Sequence, residues 1–232
     1  MPEPTPALQG ISSMATRQLL VELGARWTDT GQPPVQMSSV GGVDAARRVQ
    51  ADEVFDVVIL ASDAIERLAA AGKTLSGSRV DLVHSGVAVA VPAGAPLPDL
   101  SSEAAVRAAV LAAPSLSYST GPSGVALARL FERWGLAETL QARVITPPPG
   151  VPVGSLVAAG TVALGFQQLS ELIHVAGIQL AGPLPPDLQI QTTFAGAVCQ
   201  TSRQPEAAAA FLRFLASPQH AQAKQRQGMT PA

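Results

Sequence analysis

Short apolar runs alternate with amphipathic stretches along the whole chain. Residues 8–11 read as a strand, and over 14–29 the positions Leu19, Leu20, Leu23 and Trp27 recur at helical spacing. A strand over 35–37 leads to a helix over 43–51, and the apolar run 54–60 leads to a helix ending at Gly72. Leu82-Val83-His84 and 87–91 form a strand that passes from one half of the chain to the other, followed by a Pro/Gly/Ala loop over 92–98. Beyond it, helices are predicted over 102–112, 123–134, 153–159 and 207–216. Strands are predicted over 115–119, 143–145 (closed by prolines 147–149), 162–166 and, returning, 190–199. This alternation predicts an α/β fold with largely parallel sheets. The expected lobes are 1–85 with 192–232, and 86–191, because the strand near His84 leaves the first half and the 190–199 segment returns to it.

Polar clusters recur at one place, past a strand and before a helix. They are Ser12-Ser13, Ser38-Ser39-Val40-Gly41-Gly42, Ala61-Ser62-Asp63, Ser119-Thr120-Gly121-Pro122-Ser123-Gly124 and Gln167-Gln168. In open α/β sheets the carboxyl ends of strands face the ligand crevice. Helix N-termini there offer free N–H groups and a partial positive charge. Taken singly, each serine has an ordinary role as an N-cap. Recurrence in one register points instead to a shared pocket for an anion.

Charge narrows the class of partner. The 232 residues hold 15 Lys+Arg against 17 Asp+Glu, a formal net charge of −2, which excludes a basic nucleic-acid binder. Aromatics are only 4%, so the core is built from Ala, Val and Leu, and an aromatic-lined sugar site is not expected. The single cysteine, Cys199, has no partner for a disulfide or zinc site and reads as a small buried hydrophobe. No metal-ligand spacing, catalytic triad order or nucleotide-binding glycine loop appears, so neither metal nor cofactor is expected. No stretch reaches the roughly 18 apolar residues of a membrane span. Residues 1–6 lack the basic segment and apolar run of a signal peptide. The sequence as written therefore reads as cytoplasmic, or as periplasmic if it begins after a cleaved signal, and as a monomer.

The order of these motifs resembles the molybdate-binding-protein family, solute-binding components of oxyanion importers with the type II periplasmic binding fold. The resemblance runs from about residue 8 to 227 and rests on Ile11-Ser12-Ser13-Met14, on Gly121-Pro122-Ser123-Gly124, and on the stretches 55–63, 164–171 and 211–218. It implies two lobes, each a mostly parallel sheet flanked by helices, closing around a small anion in the crevice between them. It also implies an importer permease as partner if the protein is exported. By this resemblance Ser13 is the anion-binding serine after the first strand, and Ser38 or Ser39 is the second. Ser123 sits in a turn that offers a backbone N–H and adds a hydroxyl, and a valine N–H maps near Val153. Gln168 stands where the family has an anion-binding tyrosine. Ser62 follows the third strand, with Ser12 and Thr120 in adjacent registers. An amide in place of the phenol, with added hydroxyls, suggests an organic carboxylate as the anion.

Some members of this wider group resemble aconitate isomerases, which move a double bond in a tricarboxylate. Such chemistry needs a base and donors for an enolate-like charge. His84, near the crossover, and Glu171 are the candidate bases. Their ordinary roles are a locally bonded hinge histidine and a helix-start acid. His174 and His220 read as peripheral. Arg17, one turn into the helix after Ser13, could grip a carboxylate bidentately, or turn to solvent or Glu22. Arg47 and Arg48 read as a solvated helix face. Two readings follow: a protein that binds a small anion, and an isomerase of an unsaturated tricarboxylic acid on the same fold.

Overall fold

The computed structural model describes residues 6–148 and 150–232; residues 1–5, within the segment read for an export signal, and Pro149 lie outside the described residues. In chain order the first elements are β1 (Leu8–Ser13), a 3-10 turn (Met14–Thr16), α1 (Arg17–Asp29), β2 (Val35–Val40), α2 (Gly42–Gln50), β3 (Val57–Ala61), α3 (Ser62–Ala70) and β4 (Val80–Pro92). Next come α4 (Glu103–Ala112), β5 (Leu116–Tyr118), α5 (Pro122–Arg133), α6 (Ala137–Gln141), α7 (Val153–Ala158), β6 (Leu164–Gln168), α8 (Leu169–Leu172) and β7 (Ile178–Pro183). The last are β8 (Gln191–Val198), α9 (Pro205–Ala216), α10 (Ala221–Arg226) and β9 (Thr230–Pro231).

The chain divides into two compact units. One holds the described residues up to His84 together with Thr193–Ala232, and the other is Ser85–Thr192. In the first, β1 pairs in parallel with β2 and β3, β8 lies antiparallel to β3, and β9 antiparallel to β4. In the second, β5 and β6 are parallel, while β4 runs antiparallel to β6 and β7. The sheets are thus mixed. Parallel pairs arise where a helical crossover joins the strands, as the geometry of parallel pairing requires. Antiparallel pairs are those made by β4 and β8, whose residues are divided between the units, and by β7 and the two-residue β9.

Strand alternation gives each sheet two apolar faces. Val57, Ile59 and Ala61 pack with Leu19, Leu23, Phe211 and Leu212, while Val58 and Leu60 pack with Ala45, Val49, Ile65 and Leu68. In the second unit, Val87, Val89 and Val91 meet Leu127, Phe131 and Phe166, while Ala88 and Ala90 meet Val153, Val157 and Leu172. The few aromatics cluster edge to face: Trp27 against Phe211 and Phe214, and Phe131 against Tyr118 and Phe166. Cys199 is buried and free, as its apolar run predicts.

Several boundaries differ from expectation. The strand read over 143–145 is a lone bridge from Val144 to Leu116, because its partner β5 is three residues long and Pro147 and Pro148 follow closely. The strand read over 162–166 lies instead at Leu164–Gln168, so both glutamines belong to a fully buried strand rather than to a turn beyond it. Strand β7 and helices α6 and α10 were not signalled by periodicity. His220, read as peripheral, is buried against the Phe214 ring, with burial lowering its pKa. Arg48 is held by Glu53 and lies 5.1 Å over the Phe55 ring rather than on an open face.

Helix α5 starts where only glycine fits. A Cβ on Gly124 would stand 1.5 Å from the Ser119 carbonyl oxygen, so the helix backbone rests directly on that peptide. Gly124→Ala is expected to lower the unfolding free energy by about 2–3 kcal/mol, the range of core overpacking. Gly24→Ala, in α1 with nothing within 4 Å of the added Cβ, is expected to raise it by about 0.5–1 kcal/mol. Urea denaturation of the two variants checks both signs.

Candidate functional site

In the first unit the serines gather at the carboxyl ends of three adjacent parallel strands. The register sets Ser12 opposite Ser39 and beside Ile59, and Ser13 opposite Val40. The Ser12 and Ser39 hydroxyls are hydrogen-bonded at 2.8 Å, and Ser12 is wholly buried. Ser13 ends β1 and its hydroxyl accepts weakly from the Ala15 N–H at 3.4 Å, opening the 3-10 turn. Ser38 lies 3.5 Å from a guanidinium nitrogen of Arg48. Ser62 is the first residue of α3, which follows β3 directly. Arg17 begins α1 with its side chain exposed.

Most of these serines are not helix caps. The caps of α2, α3 and α5 are Gly41, Ala61 and Gly121, none with a side-chain cap bond. By contrast, α4 carries the expected serine cap, Ser102 accepting from the Ala105 N–H. The first-turn N–H groups of α2, α3 and α5 therefore lack a capping acceptor, the state in which helix N-termini take an anion.

The second unit has its own polar set. Ser123, in the first turn of α5, bonds the Ser119 hydroxyl at 3.0 Å and is buried, whereas Thr120 is exposed. Tyr118, Ser119, Thr120, Gly124, Val125 and Thr146 line a cavity of about 280 Å³. Val153 is the first residue of α7, where Pro152 stands as a cap without a side-chain donor or acceptor, so its N–H has no partner within the helix. The neighbouring Gly154 N–H donates to Gln167 Oε1 at 3.1 Å, and Gln167 Nε2 donates to Glu171 at 2.9 Å. Gln167 is thus fully engaged inside the protein. Gln168 differs: its Nε2 donates to Thr192 Oγ1 at 2.8 Å, but its buried Oε1 has no partner among the described residues.

The candidate bases have distinct settings. His84 Nδ1 lies 2.9 Å from the Thr193 hydroxyl in the first unit. Glu171, in the first turn of α8, is pushed up to about 7 by burial, with the Gln167 amide opposing the shift. A carboxyl that titrates near neutrality can both give and take a proton at working pH. Thr192, Thr193 and Tyr118 were not singled out from sequence, and Ser119 was named only as part of a polar cluster. The β-branched pair reads as ordinary strand composition, and Ser119 as the end of the strand over 115–119. Among the described residues no group of three or more His, Cys, Asp or Glu side chains could hold a metal ion, and no helix is long and apolar enough to cross a membrane.

Residues 8–230 match the family model of bacterial extracellular solute-binding proteins, and the chain belongs to that family. It is 43% identical over 187 residues to an aconitate isomerase from a Pseudomonas species, covering 79% of this chain and 70% of the relative. Among solved structures it is similar to the periplasmic molybdate-binding protein of Azotobacter vinelandii, with a TM-score of 0.79 at 20% identity over 96% of this chain and 98% of that one. It is also similar to the sulfate-binding protein of Mycobacterium tuberculosis H37Rv, with a TM-score of 0.76 at 17% identity over 98% and 88%. The fold is that of the type II periplasmic binding proteins.

Burial of Glu171 makes stability depend on pH. Its carboxyl titrates at about 7 in the fold and at about 4.3 in the unfolded chain. Between those values the native state holds the extra proton, so this residue's contribution falls as pH rises from about 4.3 to 7 and is constant above. Urea unfolding at pH 4 and pH 8 is expected to show Glu171→Gln gaining about 3 kcal/mol on the parent protein between the two.

Proposed function

We propose that this protein binds a small organic acid anion through neutral hydrogen-bond donors. The candidate donors of the first unit are Ser12, Ser13, Ser39 and Ser62, and those of the second are Ser123, the Val153 N–H and Gln168. Ser38 and Thr120 are outer members. The observation that carries the reading is the uncapped start of α2, α3 and α5, each beside a serine that does not cap it. Such groups neutralise an anion by directed hydrogen bonds and helix dipoles without a lysine. Family membership supports solute binding, and the named substrate of the Pseudomonas relative supports a tricarboxylate over a metal oxyanion. An exposed Arg17 is free to meet a second carboxylate. If the protein acts as a receptor outside the cytoplasm, an importer permease is its partner.

A second reading, isomerisation of an unsaturated tricarboxylic acid, is favoured by that same relative and by Glu171, which titrates near 7. His84 is the alternative base. In this reading the base removes a proton beside a carboxylate, the hydroxyl and N–H donors hold the enolate-like charge, and a proton returns at the other end of the shifted double bond.

Calorimetric titration with cis-aconitate, trans-aconitate, citrate, molybdate and sulfate separates the ligands. A carboxylate is expected to bind, and at one hundred times its Kd to stabilise the protein by about 2.7 kcal/mol. Tighter binding of molybdate or sulfate would overturn the carboxylate assignment. Incubation with trans-aconitate in deuterated water, followed by NMR, decides turnover. Double-bond migration with deuterium uptake that Glu171→Gln abolishes supports the enzyme, whereas binding without exchange leaves a receptor.

A further inference from the structure

We propose, resting on the anion-binding reading above, that Gln168 reads an anionic oxygen of the ligand with its amide N–H₂, and that Thr192 is the positioning residue that turns the amide to do so. Gln168 ends β6 with its side chain only 4% exposed. Its Nε2 donates to Thr192 Oγ1, leaving the Thr192 hydroxyl proton without an acceptor among the described residues and Gln168 Oε1 buried without a donor. Two complementary groups are thus left unmatched on one pair of side chains.

The neighbouring Gln167 makes the contrast. Its oxygen takes the Gly154 N–H and its nitrogen serves Glu171, so burial in this strand does not by itself strand an amide. A buried polar atom without a partner is costly and calls for an explanation. Half a turn of the Gln168 amide supplies one. The two ends of the amide have the same shape, and a threonine hydroxyl can donate as well as accept. After the turn, the Thr192 hydroxyl donates to Oε1, satisfying both unmatched groups. The N–H₂ then occupies the place of the unpaired oxygen and needs an acceptor. A ligand carboxylate or other anionic oxygen is that acceptor. The anion therefore selects the amide orientation, and a methyl in place of the hydroxyl removes the donor that holds the turned state.

Titration calorimetry at pH 8 with trans-aconitate and with molybdate, on the parent protein and on Gln168→Glu, Thr192→Val and Thr192→Ser, tests this. Gln168→Glu sets a carboxylate against the anion and is expected to weaken trans-aconitate binding by about 100-fold, because like charges repel. Thr192→Val is expected to weaken it by about 10-fold, the worth of one hydrogen bond, and Thr192→Ser to retain it. Equal or tighter binding by Gln168→Glu would mean that the position accepts a donor from the ligand, overturning the proposal. Parental affinity in Thr192→Val would overturn the positioning role. Loss of molybdate binding in place of trans-aconitate binding would keep the amide contact and reject the carboxylate. If the parent protein binds neither probe, the anion-binding reading falls and this inference with it. On the parent protein, the Gln168 side-chain amide resonances, assigned by their absence in Gln168→Glu, are expected to move on saturation with trans-aconitate; unchanged resonances would overturn the proposal without recourse to variant folding.

Discussion

The parallel register of β1 between β2 and β3 is the constraint on which the first unit's serine cluster depends. It places Ser12 opposite Ser39, where two hydroxyls satisfy each other in a wholly buried position. A slip of one residue would exchange the faces of every side chain in β1. Ile11 would leave the cluster it shares with Val58, Leu60 and Ile65, and Ser12 would lose Ser39. The apolar faces and the polar pair therefore enforce the same register. That agreement delivers Ser13, Ser39 and Ser62 to neighbouring strand ends.

The second unit reaches a comparable arrangement by a different device. There the first turn of α5 packs directly on the Ser119 peptide, which only a glycine at position 124 allows, and Ser123 bonds the Ser119 hydroxyl. The start of α7 is held by Gln167, whose amide spans from the Gly154 N–H to Glu171. One internal side chain thus couples a helix N-terminus to a carboxyl that titrates near neutrality.

The returning C-terminal segment is tied into the first unit by buried polar groups. Asp56, buried, accepts from the Gln9 N–H at 2.8 Å, the Ser202 hydroxyl at 2.7 Å and the Arg203 N–H at 3.2 Å. One carboxylate so joins β1 to the turn before α9. Lys224, also buried, donates to the Leu82 carbonyl at 2.9 Å and reaches the Ala216 carbonyl at the end of α9, 3.5 Å away. Burial without a facing carboxylate holds its pKa below the usual lysine range. These ties join segments far apart in sequence, which is why no local pattern announces them.

The run of elements from β1 to α3 was legible in the sequence because strand-like apolar runs alternate with stretches of helical period, the last closed by Gly72. The serines, Gln168 and Glu171 were legible as candidates because strand-to-helix junctions are where such residues meet ligands. Their roles were not. Whether a serine caps a helix or pairs with another hydroxyl depends on strand register, a contact between residues such as Ser12 and Ser39 that lie 27 positions apart. The placement of Gln167 and Gln168 turned on where β6 starts, and the partner chosen by Gln168, Thr192, sits on a strand that reads from sequence only as extended chain. Composition and periodicity report the solvent preference of each position along the chain, and so determine the elements and their faces. Hydrogen-bond partnership and proton affinity depend on which distant groups share one small volume, and only the tertiary structure decides that.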